Sequence, residues 1–467
     1  MFRRTFSPSI FQYLAAITGA FAATSYGINS SWTSPFSIYL TSTSSIIPMT
    51  SESLSWCAIS PLMGCFIGAL IAANISDRIG RKSTILIMAP VVFLCCIGIG
   101  YVRNIWYLVV LRMIIGVTDG AVFTALPMYI GEIAEPRIRG FLSSLVCLFF
   151  ISGVLIINTI GSFFTIHTCS MISACIPVLH FIGFCFMPES PYYYIKAKQY
   201  KRAEESLMVL RGTSNVSNEF QVMTEAVRLQ EDMVEKPKIT DLFTIPSNRK
   251  ALSIFVIICL ANRASGKGPL MYFTRMIFAL SGSDLNVTMC TLVYCGVELV
   301  IVMIATYFIV DRFGKRFLTI TSSVGCIVTL SILTSYFLLL HLQCSIISHL
   351  NWLPLTTLLI YNVFFSIGIS FTHMCYLSEL FPTSVKATAL SFAEIFTVVT
   401  GAIGTKFFQM TIDYSGTLWV PFCCFATLSL ISLFAIIKFV PETKGKSLEE
   451  IQLFLREGNI KTKLIKL

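Results

Sequence analysis

Two basic residues interrupt a long apolar stretch, and their spacing could form a site for an anion. Arg263 and Lys267 are four residues apart, so they share one face of a helix if the helix is intact there. A charge at the centre of a membrane-spanning helix costs about 2.5–3.5 kcal/mol on insertion scales, so such a residue usually faces a cavity or a partner. The pair therefore predicts a cationic pocket for an anionic or strongly polar solute. The alternative is structural: the charges form ion pairs, such as Arg263 with Glu298, or Lys267 extends towards the membrane surface.

Three other ionisable residues also lie within apolar stretches: Asp119, His373 and Glu394. Asp119 and His373 could titrate, although a single histidine in an apolar helix is more often packed and hydrogen-bonded. No nucleophile with a neighbouring base, no metal-ligand spacing and no phosphate-binding glycine loop stands out in the chain. We therefore expect neither enzymatic activity nor a cofactor or metal ion.

The elements that position these residues form two copies of one unit, because short motifs recur in the same order. Asp77–Lys82 (Asp-Arg-Ile-Gly-Arg-Lys) has a counterpart at Asp311–Arg316 (Asp-Arg-Phe-Gly-Lys-Arg), 234 positions later (311 − 77). Two further pairs follow: Tyr129–Glu132 with Tyr376–Glu379, and Pro188–Pro191 with Pro441–Gly445. Three motifs in one order in both halves indicate an internal duplication.

The composition of the chain is typical of an integral membrane protein. Of its 467 residues, 55% are hydrophobic and 12% charged, and the mean hydropathy is +0.77, which excludes most soluble globular classes. The charged residues are clustered and leave apolar runs of about 18 or more residues, the length that a helix needs to cross the hydrocarbon. The net charge of +10 does not indicate nucleic-acid binding, because Lys and Arg fall mostly in short loops and one central segment.

We predict an all-α integral membrane protein with twelve transmembrane helices in two pseudo-symmetric six-helix bundles. The bundles are predicted at 1–187 and 251–440, with cytoplasmic linker helices at 188–250 and a cytoplasmic tail at 441–467. The predicted spans lie near 10–30, 56–75, 84–102, 106–130, 141–163, 169–187, 251–279, 287–310, 317–340, 353–377, 385–410 and 417–439.

The distribution of Lys and Arg predicts the orientation in the membrane. They concentrate in alternate loops, such as those with Arg139 and Arg312, whereas the other short loops are nearly free of them apart from Arg103. The positive-inside rule therefore places both termini and the central segment in the cytoplasm. Two sequons, at Asn286 and Asn29, then fall near the outer ends of helices and are candidate glycosylation sites.

These motifs resemble the sugar porter family of the major facilitator superfamily over nearly the whole chain, and the resemblance implies the major facilitator fold. Two further stretches, Ser31–Pro35 and Ser55–Ser60, look most like the insect facilitated trehalose transporters. The strings that carry the family resemblance are Asp77–Lys82, Arg112-x-x-x-Gly116 with Pro127-x-Tyr129-Ile130-x-Glu132, Arg137-x-Arg139-Gly140, Pro188–Pro191, Asp311–Arg316, Ser378-Glu379-x-Phe381-Pro382, and Pro441–Lys446 with Glu449-Glu450.

The resemblance implies a cytoplasmic latch of charged residues that holds the inner gate shut while the outer side is open. Exposed ion pairs suit a gate because each is worth only about 0–1 kcal/mol and exchanges with water. The alternative is that these charges only anchor helix ends and set the topology. Tyr192 stands where the family has Arg, and Lys386 replaces an Arg, so both depart from the pattern. The residues assigned to the latch are Asp77, Arg78, Arg81, Arg112, Glu132, Arg139, Glu189, Asp311, Arg312, Arg316, Glu379, Lys386 and Glu442.

The polar residues with which the family binds a sugar are almost all substituted in this chain. On the seventh helix, the family pattern Gln-Gln-x-Ser-Gly-x-Asn is replaced by Asn262–Gly268, which keeps only Ser265 and Gly266. The candidates for the substrate cavity are Cys147, Asn262, Arg263, Ser265, Lys267, Gly268, Tyr272, Glu298, His373, Met374 and Thr397.

The resemblance implies a facilitative (uniport) sugar transporter of the plasma membrane that works by alternating access, with trehalose or a hexose as substrate. Proton-linked relatives place an acid in the first helix, whereas this chain has no Asp or Glu before Glu52. Two alternatives stay open: a divergent carrier of another polar or anionic solute, and a non-transporting, sugar-sensor-like paralogue. We expect a small-molecule sugar and the lipid bilayer as partners, and no nucleic acid.

Overall fold

Helices form every regular element in the described part of the computed structural model. The structure describes residues 10–232, 241–282, 285–305, 314–370, 372–373, 376, 380–381 and 386–443. Four predicted site residues, Asp311, Arg312, Met374 and Glu379, lie outside these ranges, and the side chain of Lys386 lies outside the description as well.

The chain divides into two compact units, as the duplicated motifs predict. The boundary falls inside the predicted linker of 188–250, between Lys236 and Pro237, so the linker helices before it belong to the first unit. The first unit comprises Met1–Phe36, Thr43–Pro48 and Trp56–Lys236, and the second comprises Ser37–Ser42, Met49–Ser55 and Pro237–Leu467.

Ten helices are described in the first half of the chain. They are α1 (Ile10–Ser31), α2 (Thr33–Thr41), α3 (Ser51–Ile79), α4 (Arg81–Tyr101), α5 (Ile105–Ile133), α6 (Pro136–Phe163), α7 (Ile166–Cys185), α8 (Pro191–Lys196), α9 (Tyr200–Arg211) and α10 (Ser217–Asp232). The last three are short and charged, and they pack around a small core of their own that includes Ile195, Leu207 and Met223.

The second half contains eight described α-helices and two short irregular turns. The helices are α11 (Asp241–Thr244), α12 (Pro246–Ala264), α13 (Lys267–Ala279), α14 (Val287–Ile304), α15 (Lys315–His341), α16 (Leu353–Phe365), α17 (Lys386–Ser415) and α18 (Trp419–Phe439). A 3₁₀ turn spans Ser345–His349, and a π-helical turn at Ser366–Ser370 extends α16. The core of this unit gathers large apolar side chains such as Phe255, Tyr376 and Ile436.

Eleven helices among the described residues are long and apolar enough to cross a membrane, counting α12 and α13 as one. They correspond in order to the second to twelfth predicted spans. The first predicted span forms as α1. It is less apolar because it contains polar side chains such as Gln12, Thr24 and Asn29, and these side chains are buried. The chain is thus a multi-pass helical membrane protein.

Glycines allow α3 and α5 to approach each other closely within the first unit. A Cβ atom on Gly68 would overlap the carbonyl of Val117, and one on Gly120 would overlap the carbonyl of Cys65. Small residues at such crossings let two helix backbones pack closely. In a membrane this packing drives helix association, because the hydrophobic effect does not drive helices together there. This contact fixes α5, which carries three of the charged residues described below.

Candidate functional site

A cluster of four charged residues joins α3, α4, α5 and α8 in the first unit, and we call it the first charged cluster. Arg81 Nε donates to Glu132 Oε1 at 3.0 Å, and Arg81 Nη2 lies 3.1 Å from Asp77 Oδ1. Lys196 Nζ contacts the other oxygen of Asp77 at 2.8 Å. The structure therefore brings together three residues that the sequence assigned to the latch, and it adds Lys196, which the sequence did not single out.

Glu189 caps the start of α4 beside this cluster. Its Oε1 accepts from the backbone N–H of Lys82 at 2.9 Å and its Oε2 from that of Ser83 at 3.2 Å. The hydroxyl of Ser190, next in the chain, donates to Glu132. A carboxylate at the first N–H groups of a helix satisfies orphan donors and complements the helix dipole. Glu189 thus ties the Pro188–Pro191 motif to the turn at Asp77–Lys82.

The second unit repeats this arrangement at the matching motifs. Glu442 Oε1 accepts from the N–H of Lys315 at 2.9 Å, and its Oε2 accepts from the N–H of Arg316 at 3.1 Å, so Glu442 caps α15. The guanidinium of Arg316 also donates to the carbonyl of Ile437 at 2.6 Å. The duplication is therefore visible in atomic contacts as well as in sequence.

A tyrosine hydroxyl reinforces each capped turn. Tyr129 donates to the carbonyl of Pro188 at 2.7 Å in the first unit, and Tyr376 donates to that of Pro441 at 3.0 Å in the second. Both tyrosines are fully buried. In each unit the repeated tyrosine therefore binds the repeated Pro-Glu motif.

Three predicted latch residues do not join the first charged cluster. Arg78 and Arg139 are exposed, and Arg139 donates only a long bond, 3.4 Å, to the carbonyl of Ala134. Arg112 precedes Glu132 by 20 positions on α5 (132 − 112), about 30 Å at 1.5 Å per residue. Its position near the other end of the helix is the physical reason that it cannot take part.

Arg112 instead organises a buried polar site between α1 and α5. Its guanidinium donates to Thr33 Oγ1 at 2.7 Å and to the Asn29 carbonyl at 2.8 Å, and it lies 4.9 Å from the Trp32 ring centroid. The Asn29 amide donates to Asp119 Oδ2 at 2.8 Å. Asn29 is 6% exposed, so the structure does not support its predicted role as a glycosylation site.

Asn286, the other candidate sequon, lies on the surface at the start of α14. Its side-chain oxygen accepts from the backbone N–H groups of Thr288 and Met289 at 2.9 and 3.3 Å. It is exposed, and the cap uses only the amide oxygen.

A further ion pair in the first unit was not predicted from the sequence. Arg211, at the end of α9, forms a bidentate ion pair with Glu219, in which Nη2 donates to Oε1 at 2.6 Å and Nε donates to Oε2 at 3.0 Å. Its Nη1 donates to the carbonyl of Ile133 at 2.9 Å. Burial raises the pKa of the Tyr192 phenol, so this substitute for the family's arginine stays neutral. Arg211 therefore bonds the central helices to the C-terminal end of α5.

In the second unit, Lys267 is the centre of a buried cluster that also contains Tyr294, Glu298 and Asn362, which we call the polar cluster. Lys267 Nζ lies 2.7 Å from Glu298 Oε1, 2.8 Å from Asn362 Oδ1 and 3.1 Å from the Tyr294 hydroxyl. The partner of Glu298 is therefore Lys267, whereas the structural alternative paired it with Arg263. Tyr294 and Asn362 were not predicted, because their approach to Lys267 depends on packing between distant helices.

The expectation that Arg263 and Lys267 share a helix face depended on an intact helix, and the helix is broken between them. Gly266 has φ +78°, a left-handed conformation that ends α12 at Ala264 and starts α13 at Lys267. The Tyr361 hydroxyl donates to the buried carbonyl of Ser265 at 2.9 Å. The two basic residues therefore lie on different helices and meet different neighbours.

Arg263 faces α17 and the segment that follows the π-helical turn. A Cβ atom on Gly401 would lie 3.5 Å from Arg263 Nη1. Arg263 also acts electrostatically on His373, which is 6% exposed and packs against the Phe255 ring at 5.4 Å between centroids. Both Arg263 Nε and His373 Nε2 are buried without a hydrogen-bond partner among the described residues.

The remaining cavity candidates are distributed over several helices of both units. Thr397 Oγ1 lies 3.4 Å from Cys259 Sγ, one turn before Arg263, and Tyr272 is buried on α13. Asn262 is partly buried, and Ser265 donates to its carbonyl at 2.6 Å. Gly268 follows Lys267 on α13, whereas Cys147 is exposed on α6 of the first unit. No group of three or more potential metal ligands occurs among the described residues.

Comparisons with known proteins agree with this architecture. A family profile described as "Sugar (and other) transporter" matches residues 6–455. The facilitated trehalose transporter Tret1 of Bombyx mori is 31% identical over 452 residues, covering 96% of this chain and 87% of the relative. The same transporter of Apis mellifera ligustica is 29% identical over 446 residues, covering 94% and 87%.

A solved structure has the same fold. The xylose transporter XylE from E. coli, in a partially occluded inward open conformation, superposes with a TM-score of 0.78 at 20% identity, covering 94% of this chain and 100% of the other. At that identity the likeness concerns the fold, which is the major facilitator fold predicted from the motifs.

Proposed function

This chain belongs to the sugar (and other) transporter family, and we propose that it is a facilitative carrier that moves trehalose or a hexose across the membrane by alternating access. The names of the relatives from Bombyx mori and Apis mellifera ligustica support trehalose as the first substrate to test. The function proposed is transport without a chemical step.

The duplicated, capped turns are the observation that carries alternating access. Glu189 caps α4 in one unit and Glu442 caps α15 in the other, each through two backbone N–H groups. Internal repeats of this kind are typical of transporters in which one bundle rocks against the other. The exposed pair of Lys196 with Asp77 can break and reform at small cost, as a reversible latch requires.

Uniport rather than proton coupling is supported by the first helix. The polar residue of α1 that approaches Arg112 and Asp119 is the neutral Asn29, which holds both through hydrogen bonds. The described first helix contains no Asp or Glu, whereas proton-linked relatives place an acid in that helix. We propose that Asp119 is a fixed partner of Asn29 and exchanges no proton with the solvent during transport.

The proposed location is the plasma membrane, with both termini, the linker helices and the tail in the cytoplasm. The distribution of Lys and Arg supports this orientation. Large apolar side chains such as Leu94, Phe186 and Phe434 are more than half exposed, and lipid is the partner that would cover them. The domain limits proposed for transport are the bundles at 1–187 and 251–440.

Uptake into proteoliposomes with an imposed pH gradient tests the facilitative mechanism. Labelled trehalose and glucose should equilibrate at the same inner concentration with and without the gradient, and a proton ionophore should change nothing. Accumulation above equilibrium that collapses on addition of the ionophore would show proton coupling and contradict the proposal.

A further inference from the structure

We propose that Arg263, with His373 beside it, binds a carboxylate of the substrate, so that the protein carries uronate-type sugar acids in addition to neutral sugars. This inference rests on the proposed transport function and names a second substrate class for the second unit. It concerns a position that lies directly before the break between α12 and α13.

Arg263 differs from three other partly or fully buried cations that the structure describes. Arg81 pairs with Glu132, and Lys267 pairs with Glu298. Arg112 has no carboxylate, but three protein atoms accept hydrogen bonds from it. The half-buried guanidinium of Arg263 has neither an ion pair nor a hydrogen bond to any described residue, and its Nε is buried without a partner.

His373 carries a second buried nitrogen without a partner in the second unit. Its side chain is 94% buried, and Nε2 has no hydrogen-bond partner among the described residues. Buried polar groups in folded proteins nearly always have a partner, so an orphaned one calls for a ligand, a water or an ion. Two orphaned nitrogens on different elements of the second unit favour a polar ligand there.

Gly401 of α17 is the close neighbour of the Arg263 guanidinium that the structure describes. Cys259 and Arg263 lie on one face of α12, four residues apart, and they meet Thr397 and Gly401 of α17, which are also four apart. A Cβ atom on Gly401 would lie 3.5 Å from Nη1, so the missing side chain leaves the space of a methyl group beside the guanidinium. A planar carboxylate fits such a site, since the guanidinium fork binds it through two parallel hydrogen bonds.

The charge balance favours a monoanion over a phosphate ester. Lys267, four residues further on, is already neutralised by Glu298, so Arg263 alone supplies the positive charge. One guanidinium balances one carboxylate, whereas a sugar phosphate brings a charge of about −1.5 to −2 near pH 7. We therefore expect D-glucuronate to bind and glucose 6-phosphate to bind at least tenfold more weakly.

An internal carboxylate is the competing explanation. Glu394 is seven residues before Gly401 on α17, about 10 Å along the helix, and its side chain lies outside the described residues. If the Glu394 carboxylate neutralises Arg263, it occupies the site and glucuronate does not bind. The experiment therefore includes Glu394→Gln.

The test measures counterflow and binding of D-glucuronate with the full-length protein. Wild type should exchange labelled glucuronate in proteoliposomes, and unlabelled glucuronate should compete with glucose flux. Arg263→Gln should lower the ratio of glucuronate to glucose flux by about tenfold to hundredfold, the worth of a charge-assisted hydrogen bond. Arg263→Lys should restore part of that ratio, because it restores the charge without the fork. Arg249→Gln is the matched control: it removes an exposed arginine from the same helix and should leave the ratio at the wild-type value.

Binding to the detergent-purified protein, measured by calorimetry, separates this inference from the transport function. Glucuronate binding that depends on Arg263, without flux of any sugar, would support the carboxylate site and contradict the proposed transport function. Flux of trehalose or glucose without binding or flux of glucuronate in wild type would support the carrier and overturn the site. Glucuronate binding that appears only in Glu394→Gln would also overturn it, because the carboxylate would then belong to the protein itself.

Discussion

Replacing Glu298 with glutamine removes the carboxylate that neutralises Lys267 in the polar cluster of the second unit. The two groups are 2.7 Å apart, and their side chains are 5% and 13% exposed. Removing one partner of a buried pair costs about 3–5 kcal/mol, because the other charge is left uncompensated. Since Asn362 and Tyr294 still accept from Lys267, we expect about 3 kcal/mol. At about 2–4 °C per kcal/mol for a unit of 150–250 residues, the midpoint of thermal unfolding falls by about 6–12 °C.

Thermal unfolding of the purified protein in detergent measures this effect. Lys196→Gln is the control: it breaks a pair with Asp77 in which both side chains are nearly half exposed, so it should cost at most about 1 kcal/mol. The double variant Lys267→Met with Glu298→Leu should recover most of the loss, because no charge is left buried. If Glu298→Gln unfolds within the range of the control, the polar cluster does not stabilise the second unit and the reasoning fails.

Three further predictions follow from the two units. Glu132→Gln removes the ion pair with Arg81. A cysteine introduced on the cytoplasmic side should then react severalfold faster with a membrane-impermeant reagent. Equal reaction rates would exclude the first charged cluster from the latch. Glu442→Gln weakens the acceptor for two N–H groups of α15 and should cost about 0.5–2 kcal/mol in unfolding free energy, and an unchanged midpoint would show that the cap is dispensable. In glycosylating cells, Asn286→Gln should abolish a glycan-dependent mobility shift and Asn29→Gln should not, because Asn29 is buried against Asp119; the reverse pattern would contradict the placement of both.

The fold and the family followed from local signals that repeat. Apolar runs of membrane-crossing length predicted the helices, and the recurrence of Tyr129–Glu132 and Asp77–Lys82 in the second half predicted two related units. The capping by Glu189 and Glu442 could not be read from the repeats alone, because a carboxylate that serves as a cap and one that serves as a gate look alike in sequence. Each cap forms through contacts across more than 100 positions.

The site was less predictable because it depends on where helices break and meet. The shared face assumed for Arg263 and Lys267 was lost at Gly266, and a signal for that break was present: Gly266 and Gly268 followed by Pro269 are typical of a helix end and a new start. The role of Asn362 had no such signal, since an amide in an apolar helix does not reveal its partner. The position of Arg112 could have been judged from its separation from Glu132 along α5.

Counterflow of trehalose measures whether the protein is a carrier that alternates between the two sides of the membrane. Proteoliposomes containing the purified protein are loaded with unlabelled trehalose and diluted into a trace of labelled trehalose, with glucose run in parallel. A carrier that alternates between two sides predicts a transient accumulation of label above its equilibrium level, followed by decay, without any ion gradient. A trace that rises no faster than in protein-free liposomes for both sugars would contradict it.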